Sequence, residues 1–208
     1  MKKVLCLLIL VIALGCKAQT PILPRYGNLE FAETHNAYYK DIDNFQQQFI
    51  GTWKYTNGAT LLTVQFKQIP MSYEESGGGL HYYEDYLVGE YKYIENGIEM
   101  VNTLPALLLN SQNPFKYNLQ SSARINKQSY PKCPECGTDD KRLIFTFYEP
   151  TRDRFNGPQA NFIVRVVQEN GVAKIIAEFI NTSQAYEAAT AELKRFSLPY
   201  GKYVLIKQ

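Results

Sequence analysis

Phe162-Ile163-Val164-Arg165-Val166-Val167-Gln168-Glu169-Asn170-Gly171-Val172-Ala173-Lys174-Ile175-Ile176-Ala177-Glu178-Phe179-Ile180 decides the fold class of this chain. Both arms are rich in β-branched and aromatic residues, whose side chains suit a pleated surface. Asn170-Gly171 between them marks a hairpin, because a type I′ turn needs positive φ at both central residues and Asn-Gly tolerates it. The stretch predicts strands over residues 162–168 and 172–180. The same signal recurs upstream. Asn57-Gly58 separates strand-like residues 52–56 from 60–66, and Asn96-Gly97 separates 86–94 from 98–104. Residues 143–148 and 203–207 read as single strands, with a weaker one near 115–125. Such tight turns do not fit parallel βαβ units, whose crossovers take a dozen or more residues.

Eight or nine antiparallel strands in nearly sequential order result. Closure into a barrel removes their bare edges. Ile175-Ile176-Ala177 and Phe162-Ile163-Val164 are apolar on both faces. That predicts a filled or narrow interior, with part of the outer face covered by a helix or by the N-terminal segment. A short helix is expected around residues 41–49, where Ile42, Phe45 and Phe49 share one face and Gly51 ends the run. Another is expected over 183–196, where Tyr186, Ala189, Leu193 and Phe196 form a stripe that Pro199-Tyr200-Gly201 stops. Residues 70–85, with Gly77-Gly78-Gly79, and 128–141 read as open loops. The expected fold is all-β: an antiparallel up-and-down barrel with short helices before the first and before the last strand. Trp53 and Tyr55 alternate to the inner face of the first strand. Trp53 then lies at the barrel base, sealed by Ile42, Phe45 and Phe49, with the closing strand 203–207 beside it.

The N-terminus carries a different signal. Lys2 and Lys3 precede an apolar run over residues 4–14, and Ala13-Leu14-Gly15-Cys16 follows. A basic start, a short apolar core and small residues at a cut site define an export signal. The run is too short for a permanent anchor, which takes about 20 residues. Plain secretion would leave Cys16 as an odd thiol in a flexible tail. The pattern resembles a lipobox, with Ala13 where Leu is more usual, so Cys16 is the expected site of cleavage and acylation. Several acyl chains hold a protein on its membrane stably. The expected organisation is a signal over 1–15, a tether over 16–28 broken by Pro21, Pro24 and Gly27, and one barrel domain over 29–208. The expected location is the cell envelope, lipid-anchored to a bacterial membrane, the outer in preference to the inner.

Cleavage would remove Lys2 and Lys3 and no acid, so the formal net charge of +2 falls to zero. A neutral surface argues against a nucleic-acid partner, which needs a basic face. Cys133-Pro134-Glu135-Cys136-Gly137 is the sharpest local feature. A disulfide is the leading reading in an exported chain. Free thiols, half of a zinc site and redox chemistry are the alternatives. A structural zinc needs four ligands, and no second Cys-x-x-Cys exists. A redox pair would want a helix start rather than the strand that follows. His35 and His81 read as solvated loop residues, and no serine sits in Gly-x-Ser-x-Gly. Gly77-Gly78-Gly79 lacks the Gly-Lys-Ser/Thr ending of a phosphate loop. Asp41-Ile42-Asp43-Asn44 lacks the Gly and Glu of a calcium loop and suits a helix first turn. Glu84-Asp85 has no partner acid that the sequence places across a cleft. No catalytic residue, metal or cofactor is therefore expected.

Phe49-Ile50-Gly51-Thr52-Trp53 resembles the start of a calycin or lipocalin barrel, where a short helix precedes Gly-x-Trp and the Trp packs across the base. The resemblance extends to a helix before the closing strand, and residues 128–141 are an insertion relative to that pattern. The chain also resembles a family of small, uncharacterised lipoproteins of Bacteroidota. That resemblance spans nearly the whole chain. It rests on Cys16-Lys17-Ala18-Gln19, on Gly51-Thr52-Trp53-Lys54-Tyr55-Thr56-Asn57-Gly58 and on Tyr83-Glu84-Asp85. It continues through Glu95-Asn96-Gly97, the Cys-x-x-Cys before Lys141-Arg142-Leu143, and Gly201-Lys202-Tyr203-Val204-Leu205-Ile206-Lys207-Gln208. The expected function is a non-enzymatic binding or structural module. The alternative, implied by the calycin resemblance, is a carrier of a small hydrophobic ligand. The expected partners are the membrane, through the lipid anchor, and a small hydrophobic ligand or an envelope protein.

Overall fold

Alternating apolar side chains curl the chain into a closed sheet. The computed structural model describes residues 20–155, 157–182 and 195–208. Its strands are β1 (Ile22–Pro24), β2 (Tyr38–Lys40), β3 (Gly51–Asn57), β4 (Thr60–Glu75), β5 (His81–Glu95) and β6 (Ile98–Asn102). They continue with β7 (Leu119–Ile125), β8 (Arg142–Phe147), β9 (Ala160–Glu169), β10 (Val172–Asn181) and β11 (Gly201–Lys207). Pairing runs β5-β4-β3-β11-β10-β9-β8-β7, and β7 returns to β5, so eight antiparallel strands close in chain order. β6 branches from β5 outside this circuit, and β1 and β2 add to the far end of β5 as parallel strands.

The turns follow their residues. Asn96-Gly97 and Asn170-Gly171 both have positive φ at the two central positions, as type I′ requires. The first hairpin differs from expectation by one residue. Asn57 still pairs with Thr60, and Gly58, at φ 58°, leads the two-residue turn with Ala59, which is the type II′ pattern.

Aromatic side chains fill the interior. Trp53, Phe66, Tyr91, Phe145, Phe147 and Phe162 are all fully buried. The Phe66 and Phe145 rings stack at 4.7 Å. Opposite Phe66 lies Gly89, and a Cβ there would stand 2.6 Å from the Phe66 ring. Glycine at this position lets the ring cross the sheet. Trp53 is 0 % exposed at the barrel base, and its Nε1 donates to the Phe49 carbonyl at 2.7 Å. β11 lies beside it, with Lys207 paired to Trp53 and its Nζ 5.3 Å from the ring centroid.

Three expectations need correction, and a fourth lies outside the described residues. The residues before β3 form a 3-10 turn (Phe45–Phe49) instead of an α-helix, and Ile42 is exposed there. Asp41 accepts hydrogen bonds from the Phe45 and Gln46 amides, which starts the turn without a longer helix. The expected helix over 183–196 falls almost wholly outside the described residues. Part of the expected tether belongs to the fold, since β1 pairs with β2 and Arg25 and Tyr26 are buried. Residues 70–85 are mostly strand instead of open loop, because β4 and β5 run on past the barrel and turn only at 76–80.

The apolar outer face of β8–β10 is covered by the loop that holds the cysteines. A cavity of about 10 Å³ between them is lined by Cys133, Arg142, Ile163 and Ile176, among others. That is about the space of one water molecule. Residues 128–141 thus account for Ile163 and Ile176, which the sequence left on a two-sided apolar strand.

Candidate functional site

The overshoot of β4 and β5 beyond the barrel builds the most polar buried region of the described chain. Strand alternation puts Ser72 and Glu74 on one face, opposite Glu84 and Tyr82 of β5, and Tyr86 follows on that face. Arg25, just after β1, reaches this face. Its Nε lies 3.7 Å from Glu84 Oε2, and its guanidinium stands over the Tyr86 ring at 5.5 Å. The Arg25 and Glu84 side chains are 2 % and 4 % exposed, and neither Arg25 Nε nor Glu84 Oε2 has a hydrogen-bond partner. Ser72 Oγ donates to Glu74 Oε1 at 3.3 Å.

Burial and mutual repulsion set the protonation of this pair. Desolvation, and then the charge of Glu84, push Glu74 up to about 7. Burial also raises Glu84, against the opposing pull of Arg25. The Tyr82 hydroxyl is pushed up to about 12 by burial and by both carboxylates. Arg25 pairs with Glu84, and Glu74 beside that pair is the carboxyl whose proton is exchanged in the neutral range.

The opposite face of the overshoot is a structural joint. Asp85 accepts from Tyr38 Oη at 2.6 Å, from the Asp41 amide at 2.9 Å and from the Met71 amide at 3.1 Å. Gln46 Nε2 donates to the Asp85 carbonyl and to Tyr26 Oη. These bonds clamp the N-terminal segment over the barrel end. They also hold Met71 at φ 53°, a left-handed conformation that non-glycine residues seldom adopt. Between β4 pairs Ile69↔Tyr86 and Ser72↔Glu84 the register slips, so Pro70 and Met71 bulge outward.

That bulge forms one wall of a groove of about 630 Å³, whose other wall is residues 112–115. Its apolar lining includes Ile69, Met71, Pro114 and Phe115, and its acids are Glu74 and Glu75. No lining residue is basic. Met71 and Phe115 are 48 % and 50 % exposed, and the Phe115 ring meets Tyr86 edge-on at 6.1 Å. The volume is in the range of small-molecule sites.

The residues singled out from sequence are scattered elsewhere. Cys16 lies outside the described residues. Cys133 and Cys136 are disulfide-bonded, with Cα atoms 5.3 Å apart, on the outer face of β8–β10. Trp53 is in the base. The two histidines meet: the His35 and His81 rings are 4.0 Å apart, and His81 Nε2 is 2.7 Å from Asn36 Oδ1. Among the described residues no group of three or more His, Cys, Asp or Glu is placed to hold a metal ion. No described helix is long and apolar enough to cross a membrane. Arg25, Ser72, Glu74 and Tyr86 were not anticipated. Their period-two spacing, Ser72/Glu74 and Tyr82/Glu84/Tyr86, was the available signal, but Pro70 and three glycines masked it.

Compared with known families, the chain matches the model of a Family of unknown function (DUF6705) over residues 1–208, and it belongs to that family. No curated protein and no solved structure matches it.

Proposed function

We propose that this member of the DUF6705 family is a non-enzymatic binding module of the bacterial cell envelope, held on its membrane by acyl chains on Cys16. The ligand site is the groove between residues 69–75 and 112–115. The groove itself, with half-exposed Met71 and Phe115 above a buried acid, is the observation that carries this reading. Large apolar side chains left in contact with water beside convergent polar groups mark binding sites. An internal carrier of the lipocalin kind is the weaker reading, because aromatic rings occupy the barrel axis. The disulfide loop and the Asp85 joint serve as scaffold.

Native mass spectrometry of the detergent-solubilised chain, purified from its own host, tests the reading. The expected spectrum shows acylated protein with a retained small molecule, and Phe115→Ala releases that molecule. Acylated protein with no bound species, or one indifferent to Phe115→Ala, would remove the groove from consideration.

A further inference from the structure

We propose that the groove takes an organic cation: a protonated amine or guanidinium on an apolar or aromatic body, its charge on Glu74 and its body between Met71, Pro114 and Phe115. The inference rests on the groove being the ligand site and names the chemical class of its ligand.

Charge and chemistry carry it. Glu74 lines the groove and is itself buried, and Glu84 is its neighbour on β5, facing Ser72. The groups that act on Glu74 are Ser72 on its own strand and Glu84 and Tyr86 on β5; Tyr82 pairs opposite it, and Arg25 stands one step beyond, on Glu84. Arg25 is the one cation among them, and its guanidinium is committed to Glu84 and to the rings of Tyr26 and Tyr86. One carboxylate is thus left without a countercharge. A buried carboxylate must be paired or protonated, since transfer of its charge out of water is expensive. Glu84 Oε2 has no hydrogen-bond donor, and the groove supplies no Lys or Arg. An ammonium entering beside Met71 would provide the missing positive charge. The Phe115 face adds a second attraction, because aromatic rings bind cations. An anionic ligand would meet Glu74 and Glu75 unscreened.

Binding then displaces the proton from Glu74. Affinity for the cation should rise with pH through about 7 and level off above it, falling about tenfold per unit well below.

Isothermal titration calorimetry of the full chain in detergent, with phenethylammonium and its neutral analogue 2-phenylethanol, tests the proposal. The expected result is ammonium binding at least ten times tighter than the alcohol at pH 8. Glu74→Gln should then reduce ammonium affinity tenfold or more and abolish its pH dependence. Unchanged Trp53 fluorescence in Glu74→Gln would show that the barrel is intact. If both compounds bind equally and Phe115→Ala weakens both, the groove stands and the cation specificity is overturned. If the ammonium binds Glu74→Gln as well as the parent chain, the specificity is overturned too. If neither compound binds at millimolar concentration, the groove reading falls with it.

Discussion

Trp53, on β3, donates its indole N–H to the Phe49 carbonyl at the end of the 3-10 turn and is fully buried. Trp53→Ala is expected to cost about 3–5 kcal/mol by opening a large cavity, read as a lowered midpoint in urea. Native Trp53 should emit in the blue and resist iodide quenching, and a red, freely quenched emission would contradict its burial. The sequence indicated this residue because Gly-x-Trp sits at the start of a strand that must alternate. Glu74 was not legible in the same way. Its surroundings depend on the pairing of β4 with β5, which sets Glu84 and Tyr86 beside it, and on residues 112–115, which lie far from it in the chain. The raised pKa of Glu74 has a definite sign for stability. An acid that holds its proton more tightly when folded favours the native state fully below its unfolded value of 4.5. That contribution is lost as pH rises to about 7 and is flat above. Glu74→Gln should therefore remove part of the decline between pH 4.5 and 7, seen by comparing thermal midpoints of the two proteins across that window. A variant whose pH profile matched the parent's would show that Glu74 titrates normally.

Among the elements, the hairpins were the most readable, because Asn-Gly has few alternatives to a tight turn and the strands beside it are dense in Val, Ile and Phe. The N-terminal strands were the least readable. β1 and β2 have three residues each, contain Pro24, and become strands only by docking on β5. Their attachment depends on Asp85, which takes donors from Tyr38, Asp41 and Met71. Asp85→Ala should cost about 3 kcal/mol, since hydrogen bonds to a charged acceptor are among the stronger ones and the orphaned amides remain buried. Hydrogen exchange should show amides in residues 22–41 opening first, with β8–β10 protected as before. Uniform loss of protection would mean that the segment and the barrel unfold together. The outer face of β8–β10 was half legible: its two-sided apolarity predicted a cover, but nothing in the sequence showed that the cover was the loop closed by Cys133 and Cys136.

At the scale of the whole molecule the barrel carries a groove on its outside, and the proposed acylation site, Cys16, precedes β1 in the chain. Cys16→Ser is expected to leave the chain unprocessed or soluble, so that it no longer partitions into detergent after phase separation. Normal processing and partitioning of that variant would disprove acylation at Cys16. The closure of the barrel also bears on when it can form. β3 meets β11 through only two register pairs, Lys54↔Ile206 and Trp53↔Lys207, which join positions almost the whole domain apart. Contacts between such distant positions are slow to find. Without residues 201–207 both β3 and β10 would lack a partner along one edge. Nothing before the final strand can complete the fold. On the proposed export route this would be an advantage in timing: a barrel that needs its last strand to close would stay open while the chain is synthesised and moved, and would lock only when β11 joins β3.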